Sequence, residues 1–482
     1  PHSSPPKPVN PDSLPCRRSG ITPARLGRTP TRPSVRAMRR FLVLLPFAVA
    51  GCASPAGPAP VAPPPQTQAF PSAATPAAPP PHAAAVAAPA AAAPPPTITP
   101  LTASGVTSFD AWASSFQPRA LAAGIDPAVL AREMAGLTPD PRVTALDERQ
   151  PEFSRPISDY LRGVVTPDRV AIGQRRLADT PALAAIERRY GVPKEILLGV
   201  WALESGYGAI QGDYDTIRSL ATLAAEGRRR DWAERELIAA LRIIQTGEEP
   251  RSRLKGSWAG AMGQTQFIPS TYLSTAVDED GDGNRDIWGS RADALASAAN
   301  LLAKAGWVPG QTWAREVKAP AGFDYALTEG PRETPDWWAA KGVVRADGRP
   351  WAAADKEARA QLVAPAGANG PLFLLFPNHF AIRQYNNSLS YALGVGLLAD
   401  RLGDGPQLVK PWPQEQPLSL VDRRTAQRAL TALGFDPGGD DGVVGTRTRA
   451  ALRAWQKARG LVADGYLSAE MVRRLKAEAG QS

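Results

Sequence analysis

Hydrophobic and polar positions divide this chain into segments with different periods. Phe41 to Ala50, FLVLLPFAVA, is an unbroken apolar run of ten residues. A membrane-spanning helix needs roughly 20, so the run is too short to cross a bilayer. From residue 53 to 100 nearly every position is Ala or Pro, and closely spaced prolines block helix. A helical period then sets in. Ser108-Phe109-Asp110-Ala111-Trp112 opens a helix with Ser108 as N-cap, and Pro193 to Ser205, Asp231 to Thr246 and Arg291 to Ala305 predict three more. In the second of these, Leu197, Val200, Trp201 and Glu204 fall at i, i+3, i+4 and i+7, one stripe of a helix. Residues 311–376 break the period with short β-like runs, paired tryptophans and turns, and predict a small mixed sub-domain on the helical one. Residues 403–417 are rich in Pro, Gly and Gln and mark a linker. Beyond it, Val421 to Leu433 predicts an amphipathic helix stopped by Gly434. Thr446 caps a second helix to Arg459, stopped by Gly460, and Ser468 caps a third. Asp441-Gly442 and Asp464-Gly465 are turn signals between them. The expected division is a leader over 1–52, an Ala/Pro-rich linker over 53–106, a mainly α region over 107–405, a linker over 406–417 and a three-helix module over 418–478.

Composition narrows the chemistry. At 482 residues the chain is too long for one core. The three histidines are His2, His82 and His379, and only His379 lies in a foldable segment, which argues against a His-rich zinc site or an HExxH helix. Both cysteines, Cys16 and Cys52, precede the folded regions, so those regions hold no disulfide, CxxC clip or thiol nucleophile. The formal charge of +9 suggests a nucleic-acid partner, but its distribution does not. Residues 1–40 hold nine Lys+Arg and one Asp, and residues 41–100 hold no charged side chain. The remainder balances 46 basic against 45 acidic side chains. No nucleic-acid footprint is expected.

Met38-Arg39-Arg40 ahead of the apolar run reads as the charged start of a signal sequence, which makes Met38 the expected start of translation. The run ends in Val49-Ala50-Gly51-Cys52, which resembles the bacterial lipobox, with small residues before a Cys that receives lipid. The resemblance implies a lipoprotein anchored through Cys52. A free cysteine after an ordinary signal peptide is the alternative. Ala53 after the Cys, by resemblance to enteric lipoproteins, implies the periplasmic face of a Gram-negative outer membrane. As polyproline II at ~3.1 Å per residue, the Ala/Pro segment would reach up to roughly 150 Å.

The chemistry-bearing stretch is ALESGYG, residues 202–208. Glu204 sits at the C-terminal end of an apolar stripe. Desolvation and the helix dipole both disfavour its ionised form there, so its pKa should rise, as a general acid for glycoside cleavage requires. Taken alone, the same residue also fits an exposed helix end. A second stretch, Ser257 to Pro269, bears on the choice. It is small and polar, with Gly260 and Gly263 for close backbone approach and Gln264 and Gln266 as amides able to read sugar hydroxyls. Together ALESGYG and GAMGQTQFIPSTY resemble the lytic murein transglycosylases of the B type, over about residues 107–400. The resemblance implies a lysozyme-like fold and Glu204 as the single catalytic acid/base. It also implies that Arg228, Arg229, Ser257, Gln266, Tyr385, Asn386 and Tyr391 contact substrate. The third arginine of EGRRRDW leaves the register of the pair open by one. Tyr391 as core and the arginines as a solvated helix face are the plainer readings.

Neither motif holds a second carboxylate, whereas ordinary glycosidases use two. A lone Glu fits a substrate that carries its own nucleophiles, with ring closure by the muramic C6 hydroxyl and no cofactor. The expected activity is cleavage of the β-1,4 bond between N-acetylmuramic acid and N-acetylglucosamine with 1,6-anhydro ends. The alternatives are a water-using muramidase and a non-catalytic murein-binding lipoprotein. Asp278 to Asp286, DEDGDGNRD, has oxygen ligands at alternate positions and Gly at the sixth, the first half of an EF-hand loop. Gly289 stands where the twelfth-position Glu belongs, and Asp293 lies one turn later. A structural calcium site of Asp278, Asp280, Asp282, Asn284 and Asp293 is expected, with sodium or a metal-free loop as the alternatives. Finally, DDGVVGTRTRAALRAWQKARGLVADGYL resembles the peptidoglycan-binding domain type 1. The implied partners are peptidoglycan glycan strands, the outer membrane and other cell-wall enzymes.

Overall fold

In the computed structural model, which describes residues 108–148 and 155–480, the helical period becomes eighteen α-helices among the described residues. Cys52, the leader and the Ala/Pro-rich segment lie outside them. Six helices, α1 (Ser108–Ala122), α2 (Pro127–Met134), α3 (Pro141–Glu148), α4 (Ile157–Val164), α5 (Pro167–Asp179) and α6 (Leu183–Tyr190), precede α7 (Lys194–Ser205). A two-residue ladder pairs β1 (Tyr214–Asp215) with β2 (Lys255–Gly256), and between them run α8 (Thr216–Glu226) and α9 (Arg230–Gln245). Next come α10 (Pro269–Thr275) and α11 (Arg291–Lys304). No described helix is long and apolar enough to cross a membrane.

The mixed sub-domain is a five-stranded antiparallel sheet in the order β4-β6-β7-β3-β5. Its strands are β3 (Ala314–Lys318), β4 (Arg332–Glu333), β5 (Val344–Arg345), β6 (Ala360–Val363) and β7 (Leu372–Leu375), with the short helices α12 (Pro335–Ala339) and α13 (Ala353–Lys356) between them. The register pairs Ala314 with Leu375 and Leu362 with Leu374. All four β7 residues are buried, as a central strand covered on both faces requires. Trp338, fully buried beneath the sheet, satisfies its indole N–H on the Ala360 carbonyl at 2.9 Å.

The chain then returns to the helical region through α14 (Pro377–Tyr385) and α15 (Leu389–Leu402). Helix α15 lies along α7 so closely that a Cβ on Gly199 would sit 2.7 Å from the Val395 carbonyl oxygen. Helix α7 is therefore apolar on nearly every side, and the stripe read from sequence is one part of a central, surrounded helix. A separate core joins α1, α8, α9 and α10 around Phe116, Ile217, Leu237 and Phe267.

The last region is α16 (Leu420–Ala432), α17 (Thr446–Ala458) and α18 (Ala469–Glu478), with its own core of Leu430, Leu452, Trp455 and Leu475. Thr446, expected as a cap, is instead the first residue of its helix, and Gly445 precedes it without a side-chain cap. Ser108 opens α1, and the position before it lies outside the described residues. Ser468 caps α18 as expected, and α16 gains an unforeseen capping box between Ser419 and Asp422. Two buried glutamines hold the Asp-Gly turns: Gly442 N donates to Gln427 Oε1 at 2.7 Å, and Gly465 N to Gln456 Oε1 at 2.8 Å.

The segment expected as a linker has no regular structure, yet it is docked. Val409 and Lys410 donate backbone N–H groups to Glu316 at 2.6 and 2.9 Å, and Trp412 stacks on Phe373 at 6.0 Å. The module itself is pinned to the sub-domain: Glu329 accepts from Arg449 and Arg453, and Asp464 accepts from Ala368 N. A cleft of about 1300 Å³ lies between them and reaches Leu389 at the start of α15.

Candidate active site

Helix α7 ends in a left-handed run, Gly206, Tyr207 and Gly208 at φ 59°, 63° and 82°. Tyr207 is strained there. Its hydroxyl bond to the Arg169 carbonyl at 2.9 Å and its edge-on contact with Trp201 hold it in place. Glu204 occupies the last turn before this bend. The residue is half-buried. Burial pushes its pKa up to about 7, while a hydrogen bond from the Tyr391 hydroxyl to Oε1 at 2.5 Å pulls the other way. No other charged group contributes to that shift among the described residues. At neutral pH the carboxyl is thus near half protonation, the state a proton donor that later becomes a base requires.

Tyr391 and Tyr385, both expected from sequence, meet at Glu204. Their rings stack at 6.5 Å, and Tyr385 donates its hydroxyl to the Thr265 carbonyl at 2.7 Å. Burial and the charge of Glu204 hold both phenols well above their ordinary pKa, so they stay neutral donors. Tyr391 is both buried and bonded to the acid, so the core reading and the site reading hold together. Asn386 follows Tyr385 as the exposed C-cap of α14.

The segment 256–267 folds back as a narrow loop. Ser257 N donates to the Ala261 carbonyl at 2.7 Å, the Ser257 hydroxyl accepts from Ala261 N at 3.1 Å, and Met262 pairs with Phe267. Gly263, at φ 66°, lies where a Cβ would meet the Ile287 carbonyl at 2.8 Å, which confirms its role in close approach. Gln266, also left-handed at φ 50°, donates its amide to the carbonyls of Gln211 and Gly263 at 3.0 and 2.9 Å. Its NH2 is occupied by the loop, which leaves the amide oxygen for a ligand. Gln264 departs from its expectation as a sugar reader. It is buried, and both ends of its amide bond within the protein, to the Trp201 indole and to the Trp288 carbonyl.

Arg228 and Arg229 converge on Asp147 of α3, a partner that the sequence did not disclose. Arg228 Nε lies 2.9 Å from Asp147 Oδ2, and Arg229 pairs with Oδ1. Burial pushes the Asp147 carboxyl up, but the bonds from Arg228 and Arg229 outweigh it and hold it below its ordinary value. Arg230 turns instead to the Ala224 carbonyl, so of the three arginines it is 228 and 229 that share Asp147. The Arg229 guanidinium lies 5.4 Å from the rings of both Trp232 and Trp258, and so reaches the residue beside Ser257.

In the acidic loop, carboxylate oxygens of Asp278, Asp280 and Asp282 lie within 4.8 Å of one another. Three hard oxygen donors on one turn fit a divalent cation of the calcium type. Asn284, next at the alternate spacing, is exposed beside them. Asp293 stands apart from its expected role. It is fully buried and accepts from the backbone N–H groups of Glu279, Asp280 and Asp286, so it holds the loop's backbone.

The arrangement is thus a half-buried Glu at a helix end, a tyrosine donor on a facing helix and a glycine-rich loop beside it. The sequence profile of the transglycosylase SLT domain matches residues 108–400. The chain belongs to the transglycosylase SLT family. A second profile, for a peptidoglycan binding domain, matches residues 419–475. The chain is 32% identical over 248 residues to membrane-bound lytic murein transglycosylase B of Escherichia coli (strain K12); the match spans 49% of this chain and 64% of that protein's length. Among solved structures of this transglycosylase fold, SltB3 from Pseudomonas aeruginosa in complex with NAG-anhNAM-pentapeptide is similar at 48% identity and TM-score 0.72, over 76% of this chain and 99% of that one. The Escherichia coli lytic transglycosylase Slt35 in complex with calcium is similar at 29% identity and TM-score 0.52, over 60% of this chain and 92% of that one.

Proposed function

We propose that this chain is a lytic transglycosylase that cleaves the β-1,4 bond between N-acetylmuramic acid and N-acetylglucosamine and leaves 1,6-anhydromuramic ends. The observation that carries the reading is Glu204: half-buried, held by the Tyr391 hydroxyl at 2.5 Å and raised to about 7 by desolvation, with no second carboxylate contributing. Protonated Glu204 gives its proton to the glycosidic O4 as the C1–O4 bond breaks. The muramic N-acetyl oxygen supports the cation at C1. Glu204, now a carboxylate, takes the proton from the C6 hydroxyl as O6 bonds to C1, and the acid is regenerated. The attacking hydroxyl is tethered to the same ring, which lowers the entropic barrier and needs no water. Tyr391 holds the carboxyl through both halves. SltB3, a similar protein, was solved in complex with NAG-anhNAM-pentapeptide and with NAG-NAM-pentapeptide, which supports peptidoglycan as the substrate and an anhydro end as the outcome here.

The substrate contacts in this reading are Ser257, Gln266, Tyr385, Asn386 and the Arg228–Arg229 pair, and the C-terminal module binds the polymer. Asp278, Asp280, Asp282 and Asn284 would hold a calcium ion whose part is structural, to close a loop next to the site. Cys52 carries the lipid that keeps the enzyme at the periplasmic face of the outer membrane. Fractionation of a Cys52→Ser chain tests the anchor: continued recovery with membranes would refute it. The decisive experiment on activity is digestion of purified sacculi with mass analysis of the products. Anhydro ends from the parent and a loss of at least ~10²-fold in Glu204→Gln are expected, since general acid–base catalysis contributes that much. Products heavier by one water would make the protein a muramidase instead.

A further inference from the structure

Two groups must be in register for the proposed chemistry, the Glu204 carboxyl and the Tyr391 hydroxyl, and they come from helices 187 residues apart. Both are indexed by the same two-residue segment, Gln264-Thr265. On the acid's side, the Trp201 indole N–H donates to Gln264 Oε1 at 3.1 Å, and the Ser205 hydroxyl donates to the Gln264 carbonyl at 2.7 Å. These residues lie three before and one after Glu204, so the last turn of α7 is gripped on either side of the carboxylate. On the donor's side, the Tyr385 hydroxyl bonds to the Thr265 carbonyl at 2.7 Å, and Tyr385 stacks on Tyr391.

Gln264 is itself fixed from behind. Its backbone N–H donates to the Ile287 carbonyl at 2.9 Å, and its Nε2 to the Trp288 carbonyl at 3.1 Å. The indole can only donate and a carbonyl can only accept, so an amide, with one end of each kind, joins them. The wall at Gly208 completes the grip: a Cβ there would lie 2.5 Å from Gln264 Oε1.

We infer that Gln264 is a positioning residue for Glu204, acting through Trp201 and Ser205 to hold the carboxyl under the Tyr391 hydroxyl. The inference rests on Glu204 being the acid. A small rotation of the α7 end would carry the carboxyl away from both its donor and the scissile oxygen, and misplacement of about 1 Å costs on the order of 10²-fold in rate. Because the grip acts on the reacting group and not on substrate, its loss should fall on kcat.

The test compares Trp201→Phe, which keeps the ring and removes the N–H, with Ser205→Ala, Gln264→Met and the Trp201→Phe/Gln264→Met pair, on soluble glycan chains. Each single variant should lower kcat by roughly 3- to 30-fold with KM within about twofold. The double variant should fall no further than Gln264→Met alone, because both remove one bond. Full kcat in Trp201→Phe, a change confined to melting temperature, or losses that multiply in the pair would overturn the inference. Should Gln264→Met not fold, Trp201→Phe and Ser205→Ala decide by the same kcat criterion. Glu204→Gln, run alongside, separates the two readings. Retained turnover in it sinks the acid assignment, whereas an inactive Glu204→Gln with fully active Trp201→Phe and Ser205→Ala sinks only the positioning role.

Discussion

At the scale of single residues, the raised acid at Glu204 makes a claim on stability as well as on rate. Its carboxyl ordinarily titrates near 4.5 and in the fold near 7, so between those values the folded protein holds a proton that the unfolded chain has released. The stability this group contributes is fully present below about 4.5 and is lost as pH rises through 7. Glu204→Gln is neutral throughout and escapes that loss. The variant should therefore gain on the parent as pH rises from 5 to 8, by on the order of 2–3 kcal/mol. Thermal melts at the two pH values measure it, and a constant difference would show that the carboxyl is not desolvated. The direction of this shift was legible in the sequence, because the apolar stripe that ends at Glu204 is a local pattern. Its bond to Tyr391 was not: the resemblance put Tyr391 at the site, but it reaches Glu204 across 187 residues, and a tyrosine on an apolar helix reads equally well as core. Gln264 was misread for a related reason. An amide in a small, polar stretch looks like a sugar reader until the buried Trp201 indole shows where its oxygen goes.

At the scale of elements, short motifs with fixed spacing carried over well and their distant closures did not. The Asp-x-Asp-x-Asp-Gly run gathers its three carboxylates because alternate positions of one turn face inward, a property of the loop alone. Asp293 arrives from α11 and could be placed only once that helix was docked. The structure gives the two kinds of acid different duties and so different signatures. If the loop holds calcium as proposed, the parent's melting temperature should rise with the ion, and Asp280→Ala with Asp282→Ala should abolish that rise. Asp293→Ala should instead cost on the order of 1–3 kcal/mol of stability, and so lower the melting temperature with and without calcium, because three backbone N–H groups lose their acceptor. Calorimetry with calcium and with chelator distinguishes them. A parent protein that shows no calcium shift would remove the metal from the loop while leaving the Asp293 clamp intact. The helices named from sequence were placed to within a residue or two, with the cap expected at Thr446 displaced by one, since a hydroxyl one position inside the helix looks the same in sequence as a cap.

At the scale of the whole molecule, composition misjudged the joint between the helical region and the C-terminal module. Pro-, Gly- and Gln-rich chain reads as a free tether, but Trp412 stacks on Phe373 and Glu316 takes two backbone N–H groups from residues 409 and 410. Glu329 then receives Arg449 and Arg453 from α17. Burial raises the Glu329 carboxyl, and the bonds from Arg453 and Arg449 more than reverse it, leaving it below its ordinary value. A net lowering of that kind means the ion pair favours the docked state at neutral pH. A module held this way presents its surface at a fixed place relative to Glu204, whereas a tethered one would only raise local concentration. Glu329→Ala removes the acceptor that both arginines share and leaves their charge partly buried, a loss on the order of 1–3 kcal/mol at the joint. The module has its own core, with side-chain caps on α16 and α18, so it should stay folded while it comes free. Calorimetry should then resolve a module transition apart from the main one, and limited proteolysis should open the segment 406–417 before either folded part. If the variant instead melts in a single transition at the parent's temperature and the segment stays resistant, the Glu329 contact is incidental, and the stacking of Trp412 on Phe373 must be what fixes the module in place.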